Sequence, residues 1–358
     1  MHIRPLFLLS LSLLTACGGG GGGGGDGASQ IAGSTTGWLV PENEIRDGGP
    51  GKDGIPAISS PNFAPLAQQS SGLNALVIGV SFDGDEHAIP HDIMDWHEVL
   101  NLTTQTGPTV VSYCPLTGSA LHWKGFENDS DATFGVSGLL YNSNLILYDR
   151  QTDSNWSQIG IQAIEGTRRS QRPQGLPLVE MTLGAWQEMY PDSLLLSRTT
   201  GFSRDYGRYP YGSFRTNTEL LFPVDVLDNR LHEKARVLGV FNSSVARAYV
   251  IDDLEDTIEV INDDLGGEPI VVVGSATRKF AVAFSRTLAD GTELTFLPSS
   301  TALPSLIEDQ EGNTWDVFGR ALTGPREGES LTVTQSHIAY WFAWGAFHKQ
   351  SEIHNQGS

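Results

Sequence analysis

Cys114 is the residue of this chain best suited to chemistry, because its thiol has no obvious partner. The sequence of 358 residues contains two cysteines, and the other, Cys17, lies near the start of the chain. Pro115 follows Cys114, fixes its own φ angle and has no N–H group. We therefore expect the amides of residues 116–118 to point at the sulfur and stabilise its thiolate, the nucleophilic and metal-binding form. The alternative is an inert, buried side chain that fills space.

The residue three positions after Cys114 limits what this thiol can do. A Cys-x-x-Cys redox motif carries its second thiol there, whereas this chain has Thr117. An internal disulfide cycle is therefore excluded. Redox chemistry at Cys114 would need an external thiol or a sulfenic acid intermediate.

His97 and Glu98 form a second candidate group. We predict a helix over residues 92–100 with Asp92 as its N-cap, and neighbouring residues on a helix face different directions. His97 is then a candidate base or ligand beside Cys114, and Glu98 is free to orient a neighbour. The alternative for His97 is a half-buried ring held by a backbone carbonyl group.

A copper or zinc site is another use of these residues. Cys114, His97 and His122 would supply the sulfur and nitrogen ligands that both metals favour. The chain has no close His-x-His or Cys-x-x-Cys spacing, so no short metal-binding motif supports this set.

Charge and the remaining motifs exclude several classes of function. Asp and Glu outnumber Lys and Arg by 42 to 22, so a phosphate backbone would be repelled and nucleic acid is not an expected partner. Segments 149–155 and 309–313 resemble calcium loops in part. Gly160 and Arg320 occupy the positions where such loops need a glutamate, so we interpret both segments as acidic turns.

Residues 1–17 predict export and a lipid anchor. The apolar run over residues 6–14 is too short to span a bilayer and is typical of a secretory signal peptide. The tetrapeptide Leu-Thr-Ala-Cys that ends at Cys17 resembles a bacterial lipobox, in which the cysteine is lipidated. The next residue is Gly18 rather than Asp, which favours the outer membrane. We therefore expect an exported protein whose lipid makes the membrane its partner.

Residues 18–52 are predicted to be a flexible tether. The segment opens with an unbroken run of glycine over residues 18–25 and continues through a second turn-rich stretch. Glycine has no side chain with which to build a core.

The rest of the chain contains an internal repeat. Residues 77–80 (Val-Ile-Gly-Val) correspond to residues 237–240 (Val-Leu-Gly-Val), and residues 98–101 correspond to residues 259–262. We therefore predict an α+β, β-rich fold made by tandem duplication of one mixed unit of strands, short helices and a hairpin. The first half would be residues 53–234 and the second half, a degenerate copy, residues 235–358.

The repeat also predicts the elements that position Cys114. Strands are expected over Leu76–Phe82, residues 109–113, 120–124 and 270–273, and Phe280–Ser285, and a second helix over residues 183–190. Cys114 then lies where a strand ends and a tight turn begins. Its counterpart in the second half is Ser275, so the thiol belongs to the first half alone.

Five motifs of the first half resemble a known family. They are Asp53-Gly54-Ile55-Pro56-Ala57, Trp96-His97-Glu98, residues 113–118, residues 134–144 and Tyr148-Asp149-Arg150-Gln151-Thr152. Together they resemble the bacterial and archaeal family catalogued as domain of unknown function 3179, over the chain from Asp53 to Ile353. Some relatives carry Cys-Pro-Leu-Cys at the Cys114 loop, which implies redox chemistry, and Thr117 departs from that pattern.

The resemblance extends to seven residues. It implies site roles for His97, Glu98 and Cys114, and substrate-binding roles for Asn142, Asn144, Asp149 and Arg150. The leading hypothesis is a thiol-dependent oxidoreductase acting on an unknown thiol or small-molecule partner. The alternatives are a non-catalytic copper or zinc protein and a structural surface scaffold.

Overall fold

The fold consists mainly of short strands joined by tight turns. The computed structural model of the protein describes residues 37–68, 72–125 and 132–355, so Cys17, the signal peptide and the glycine run lie outside it. Within these ranges the helices are α1 (His91–His97), α2 (Leu183–Met189) and α3 (Trp341–Phe347). None of the helices described is long and apolar enough to cross a membrane.

The strands of the described residues are short, with two to eight residues each. In chain order they are β1 (Arg46–Asp47), β2 (Phe63–Pro65), β3 (Leu76–Phe82), β4 (Asp85–Pro90), β5 (Val99–Thr104), β6 (Gly107–Cys114), β7 (Ser119–Lys124), β8 (Phe134–Tyr141), β9 (Asn144–Asp149), β10 (Asn155–Ser157), β11 (Gln162–Glu165), β12 (Val179–Thr182), β13 (Leu194–Leu196), β14 (Arg236–Phe241), β15 (Ala246–Val250), β16 (Glu259–Asp264), β17 (Pro269–Ser275), β18 (Phe280–Ser285), β19 (Phe296–Pro298), β20 (Ile307–Asp309), β21 (Thr314–Trp315), β22 (Ala321–Thr323), β23 (Ser336–Tyr340) and β24 (Glu352–Ile353).

The sheets of the first half have counterparts of matching order in the second, except that the edge strands β1 and β2 have no counterpart among the described strands. The first half has the orders β12-β3-β4-β13-β2, β5-β6-β7 and β1-β8-β9-β10-β11. The second half has β23-β14-β15-β24, β16-β17-β18 and β19-β20-β21-β22. The senses of pairing also agree, because β13 runs parallel to β4 and β24 runs parallel to β15, while the other pairs are antiparallel.

A tryptophan packs on a glycine at the same place in each half. A Cβ atom added to Gly79 would lie 2.1 Å from Cζ3 of Trp186, and one added to Gly239 would lie 2.1 Å from Cζ3 of Trp344. Only glycine leaves room for an indole ring this close to the strand.

A second tryptophan in each half donates to a buried carboxylate. Nε1 of Trp156 lies 3.0 Å from Oδ2 of Asp149, and Nε1 of Trp315 lies 2.9 Å from Oδ2 of Asp309. These bonds hold the two acidic turns over residues 149–155 and 309–313.

The two halves exchange contacts in a reciprocal way. The amide of Tyr340 donates to the carbonyl oxygen of Thr117 at 2.7 Å, and the amide of Thr182 donates to the carbonyl oxygen of Arg278 at 3.0 Å. Each bond joins the hairpin loop of one half to the residue directly before a helix in the other. The apolar core is shared as well, since Trp186 and Trp315 belong to one cluster.

The predicted strands and helices agree with the observed ones to within a few residues. β3 and β18 have the predicted bounds, and β6 and β17 extend the predicted strands at both ends. Helix α1 starts one residue before the prediction and ends three residues earlier, because Glu98 adopts the left-handed conformation with φ of 58°. Its N-cap is Pro90, so the prediction of Asp92 as the cap is wrong.

The folded body begins earlier in the chain than the predicted boundary at residue 52. Strand β1 pairs with β8, and the amide of Leu39 donates to the carbonyl oxygen of Ile164 at 2.7 Å. Residues 39–47 are therefore attached to the sheet that carries β8 and β9.

Candidate functional site

Cys114 is a buried, protonated thiol. Its exposed fraction is 1%, and Sγ lies 3.8 Å from the carbonyl oxygen of Ser143. The amides of Thr117 and Gly118 donate to the carbonyl oxygen of Cys114. Burial, followed by the charge of Glu98, raises the pKa of the Cys114 thiol to about 11. The expected stabilised thiolate is therefore not the resting form of this side chain.

His97 has both ring nitrogens in use. Nδ1 lies 2.7 Å from the carbonyl oxygen of Pro56, which can only accept, so Nδ1 carries the proton. Nε2 lies 2.7 Å from the Tyr206 hydroxyl oxygen and accepts a hydrogen bond from that hydroxyl. Burial lowers the pKa of His97, which keeps the ring neutral. The imidazole is thus held between two partners, neither of which is Cys114.

Glu98 is a buried carboxyl group near the thiol. Its Oε1 accepts a hydrogen bond of 3.1 Å from the hydroxyl of Tyr211. Burial raises the pKa of Glu98 to about 8, and the nearby Asp95 charge acts in the same direction. Glu98 is therefore largely protonated at neutral pH, and of the predicted partners it is the one whose charge acts on Cys114.

The predicted copper or zinc ligands are not gathered into a metal site. His122 has Nδ1 at 3.2 Å from the carbonyl oxygen of Pro177 and Nε2 at 3.1 Å from the Thr109 hydroxyl. Burial lowers the pKa of His122 to about 4. Across the described residues there is no group of three His, Cys, Asp or Glu side chains placed to hold a metal ion.

Asn144 is the predicted substrate-binding residue that lies closest to the Cys114 loop. Its Nδ2 donates to Oγ1 of Thr117 at 2.9 Å and to Oε1 of Gln158 at 2.7 Å, and its Oδ1 accepts from the amide of Ile159. Asn144 is buried, and its side-chain amide holds the Cys114 loop in place through the hydrogen bond to Thr117.

The other three predicted substrate-binding residues are dispersed. Oδ1 of Asn142 accepts from the amide of Asp225, Asp149 accepts from Trp156 as described above, and Arg150 forms an ion pair of 2.7 Å with Asp53. Each side chain has a protein partner of its own. The structure does not bring these residues together around one cavity.

A polar cavity of about 210 Å³ lies on the other face of the Cys114 hairpin. Tyr113 lines it, whereas Cys114 belongs to an apolar cluster on the opposite face of the strand. Its polar lining consists of His91, Asp92, Tyr113, Arg215, Arg236 and Tyr340, and its remaining wall is formed by Ala75, Leu76 and Gly118. Residues of both halves contribute, so the cavity exists only in the assembled fold.

Two arginines of the polar cavity are held by buried carboxyl groups. Nη2 of Arg215 contacts Oδ1 of Asp95 and donates to the Tyr113 hydroxyl oxygen at 3.0 Å. Nη2 of Arg236 lies 3.4 Å from Oε2 of Glu180. Burial raises the pKa of Asp95 to about 7 although Arg215 lowers it. Both guanidinium groups therefore stay in place and charged beside the cavity.

Two polar atoms of the lining are buried without a hydrogen bond to any described residue. One is Oδ1 of Asp92 and the other is Nε2 of His91. Nε2 lies 3.1 Å from Oε2 of Glu180, but the contact lacks the alignment of a hydrogen bond. Burial lowers the pKa of His91, so its ring is neutral and forms no full ion pair with Glu180. Buried polar atoms of this kind usually have a partner.

Two of the polar lining positions have apolar residues or glycine at the matching place in the second half. His91 is the first residue after β4, and Ile251 is the first after β15. Tyr113 is the last but one residue of β6, and Gly274 is the last but one of β17. At the position of Asp92 the second half also has an aspartate, Asp252, so the difference between the halves is confined to the positions of His91 and Tyr113 among those compared.

Sequence reasoning missed the polar cavity because its residues come from distant segments. The arginines and Tyr340 are more than 100 residues from His91 along the chain, and no short motif joins them. The available signal is the Arg- and Tyr-rich segment over residues 204–215, which ends at Arg215 of the lining.

These features define a β-rich protein with an enclosed thiol and a separate polar cavity. The chain belongs to the family described as protein of unknown function, DUF3179, which it matches over residues 52–351. No curated protein and no solved structure matches the chain significantly.

Proposed function

We propose that this protein binds a small molecule in the polar cavity and that Cys114 is not its reaction centre. One observation carries the proposal: charged and phenolic side chains from both halves line one cavity, and two buried atoms of that lining, Nε2 of His91 and Oδ1 of Asp92, have no hydrogen bond within the described residues. A bound ligand would give these two buried atoms the partners that they lack. The enclosed Cys114 and the fully bonded His97 offer less support for a thiol redox or metal role.

The test is ligand-induced stabilisation that depends on the cavity. A chemically diverse panel of small polar metabolites should contain compounds that raise the melting temperature of the wild-type protein. Ala75→Trp at the exposed edge of the cavity should abolish these shifts. Ala289→Trp, which alters an exposed alanine elsewhere, is the matched control and should keep them. Equal shifts in wild type and Ala75→Trp would contradict the proposal.

We infer that the two halves arose by tandem duplication. The matched sheet orders, the two indole–glycine contacts and the two indole–carboxylate bonds support this origin. An experimental structure in which residues 76–196 and 236–353 superpose strand for strand would support it, and a mismatch of strand order would contradict it.

Export and lipid anchoring through Cys17 are proposed from the sequence alone. The wild-type protein should incorporate labelled palmitate and fractionate with the outer membrane. Cys17→Ser should lose the label and the membrane association. Cys114→Ser is the control, because it removes the other thiol and should leave both unchanged.

A further inference from the structure

We propose that the ligand of the polar cavity is a short carboxylic acid that also carries a hydroxyl group. This inference rests on the proposed function and names its ligand class. The carboxylate would face the two arginines and the phenols of Tyr113 and Tyr340, and the hydroxyl would donate to Asp92.

The lining offers hydrogen-bond donors in excess. Nη2 of Arg215 makes both of its contacts to Asp95 and Tyr113, so Nη1 and Nε are not committed to either. Nε of Arg236 is likewise not used in its contacts to Glu180 and the Lys279 carbonyl oxygen. The Tyr113 oxygen accepts from Arg215 and keeps its own hydrogen to donate. Planar guanidinium groups and phenols suit the two oxygens of a carboxylate.

The charges around the cavity also favour an anion. Arg215 and Arg236 are permanently charged, and Glu180 balances one of them. Asp95 balances the other only in part at neutral pH, because burial raises its pKa to about 7. The neutral His91 adds no charge. Asp92 is offset by its own ion pair with Arg198, so the lining keeps a partial positive charge, which an anionic ligand would neutralise.

Size and the apolar wall distinguish a carboxylic acid from an inorganic anion. A volume of about 210 Å³ is several times the roughly 30 Å³ that a water molecule occupies in the liquid. Ala75 and Leu76 give this space an apolar side where a short carbon chain would lie. Oδ1 of Asp92 needs a donor, and a hydroxyl group of the ligand supplies one.

Three compounds with the same carbon skeleton test the ligand class. Lactate has both groups, propionate lacks the hydroxyl, and propylene glycol lacks the carboxylate. By calorimetry, lactate should bind the wild-type protein roughly tenfold or more tightly than either of the others, because each lost group leaves a buried partner unpaired. Inorganic phosphate should also bind more weakly than lactate.

The outcomes separate the ligand class from the proposed function. Propylene glycol or phosphate binding as tightly as lactate would refute the class, while the cavity would still be a binding site. If none of these compounds binds, while other metabolites stabilise the wild type but not Ala75→Trp, the ligand class is refuted and the cavity remains a binding site. No stabilisation by any compound would refute both.

Two conservative variants test whether the lining makes the contacts. Tyr340→Phe removes one hydroxyl, and Arg236→Lys keeps the charge but removes the planar fork, so each should weaken lactate binding roughly tenfold. Tyr190→Phe is the matched control, since it removes a buried hydroxyl that contacts Asp316 away from the cavity. Unchanged affinity in a folded Tyr340→Phe variant would overturn the assignment.

Discussion

The reactivity of Cys114 decides between the thiol hypothesis and a binding role. Its pKa is raised from 9.0 to about 11, mainly by burial, so at pH 8 the thiolate population falls about hundredfold relative to an exposed cysteine. An exposed fraction of 1% slows attack further, because a reagent can reach Sγ only after local opening. In the Cys17→Ser background, where Cys114 is the one remaining thiol, we expect iodoacetamide to label native protein at least about hundredfold more slowly than protein in urea.

The assay is intact-mass spectrometry of timed samples at pH 8. An accessible thiol made by Ser300→Cys, with Cys114 changed to Ser, is the control and should react equally fast in both conditions because Ser300 is exposed. Native labelling of Cys114 within about threefold of the urea rate would refute the reasoning. It would show that the thiol is reachable and would restore the redox hypothesis.

Three further predictions concern the free energy of unfolding of substituted proteins. Glu98→Gln should be more stable than the wild type in urea unfolding, by an amount that grows between pH 5 and pH 8 to a few kcal/mol. The reason is that the Glu98 carboxyl pKa falls from about 8 in the folded protein to 4.5 on unfolding, so the wild type releases a proton when it unfolds in this pH range. A stability difference that stays constant with pH would contradict this. Gly79→Ala and Gly239→Ala should each lower the free energy of unfolding by about 1–3 kcal/mol or more, because the new Cβ overlaps a tryptophan ring. The control Gly175→Ala has open space at its Cβ and should change the free energy of unfolding little. Asn144→Ala should cost about 1–3 kcal/mol in the same assay because buried partners lose their donor, and an effect below the error of the measurement would count against a bracing role.

Local patterning accounts for the parts of the fold that were predicted well. The bounds of β3 and β18 follow from runs of apolar and β-branched residues, which depend on near neighbours in the chain. The end of α1 was missed because Glu98 leaves the helix in a left-handed conformation that its residue type does not favour. The hydroxyl of the partly exposed Tyr211, 113 residues further along, donates to the Glu98 carboxyl group and holds it there.

The sequence by itself determined that the first half carries a lone thiol, a nearby His-Glu pair and a hairpin loop, and it identified the family. Only the tertiary structure decided their state. His97 is bonded to residues 41 and 109 positions away, and burial keeps Cys114 protonated. The same long-range packing assembled the polar cavity from both halves. Burial and hydrogen-bond pairing depend on which distant segments are in contact, and a short sequence motif does not encode those contacts.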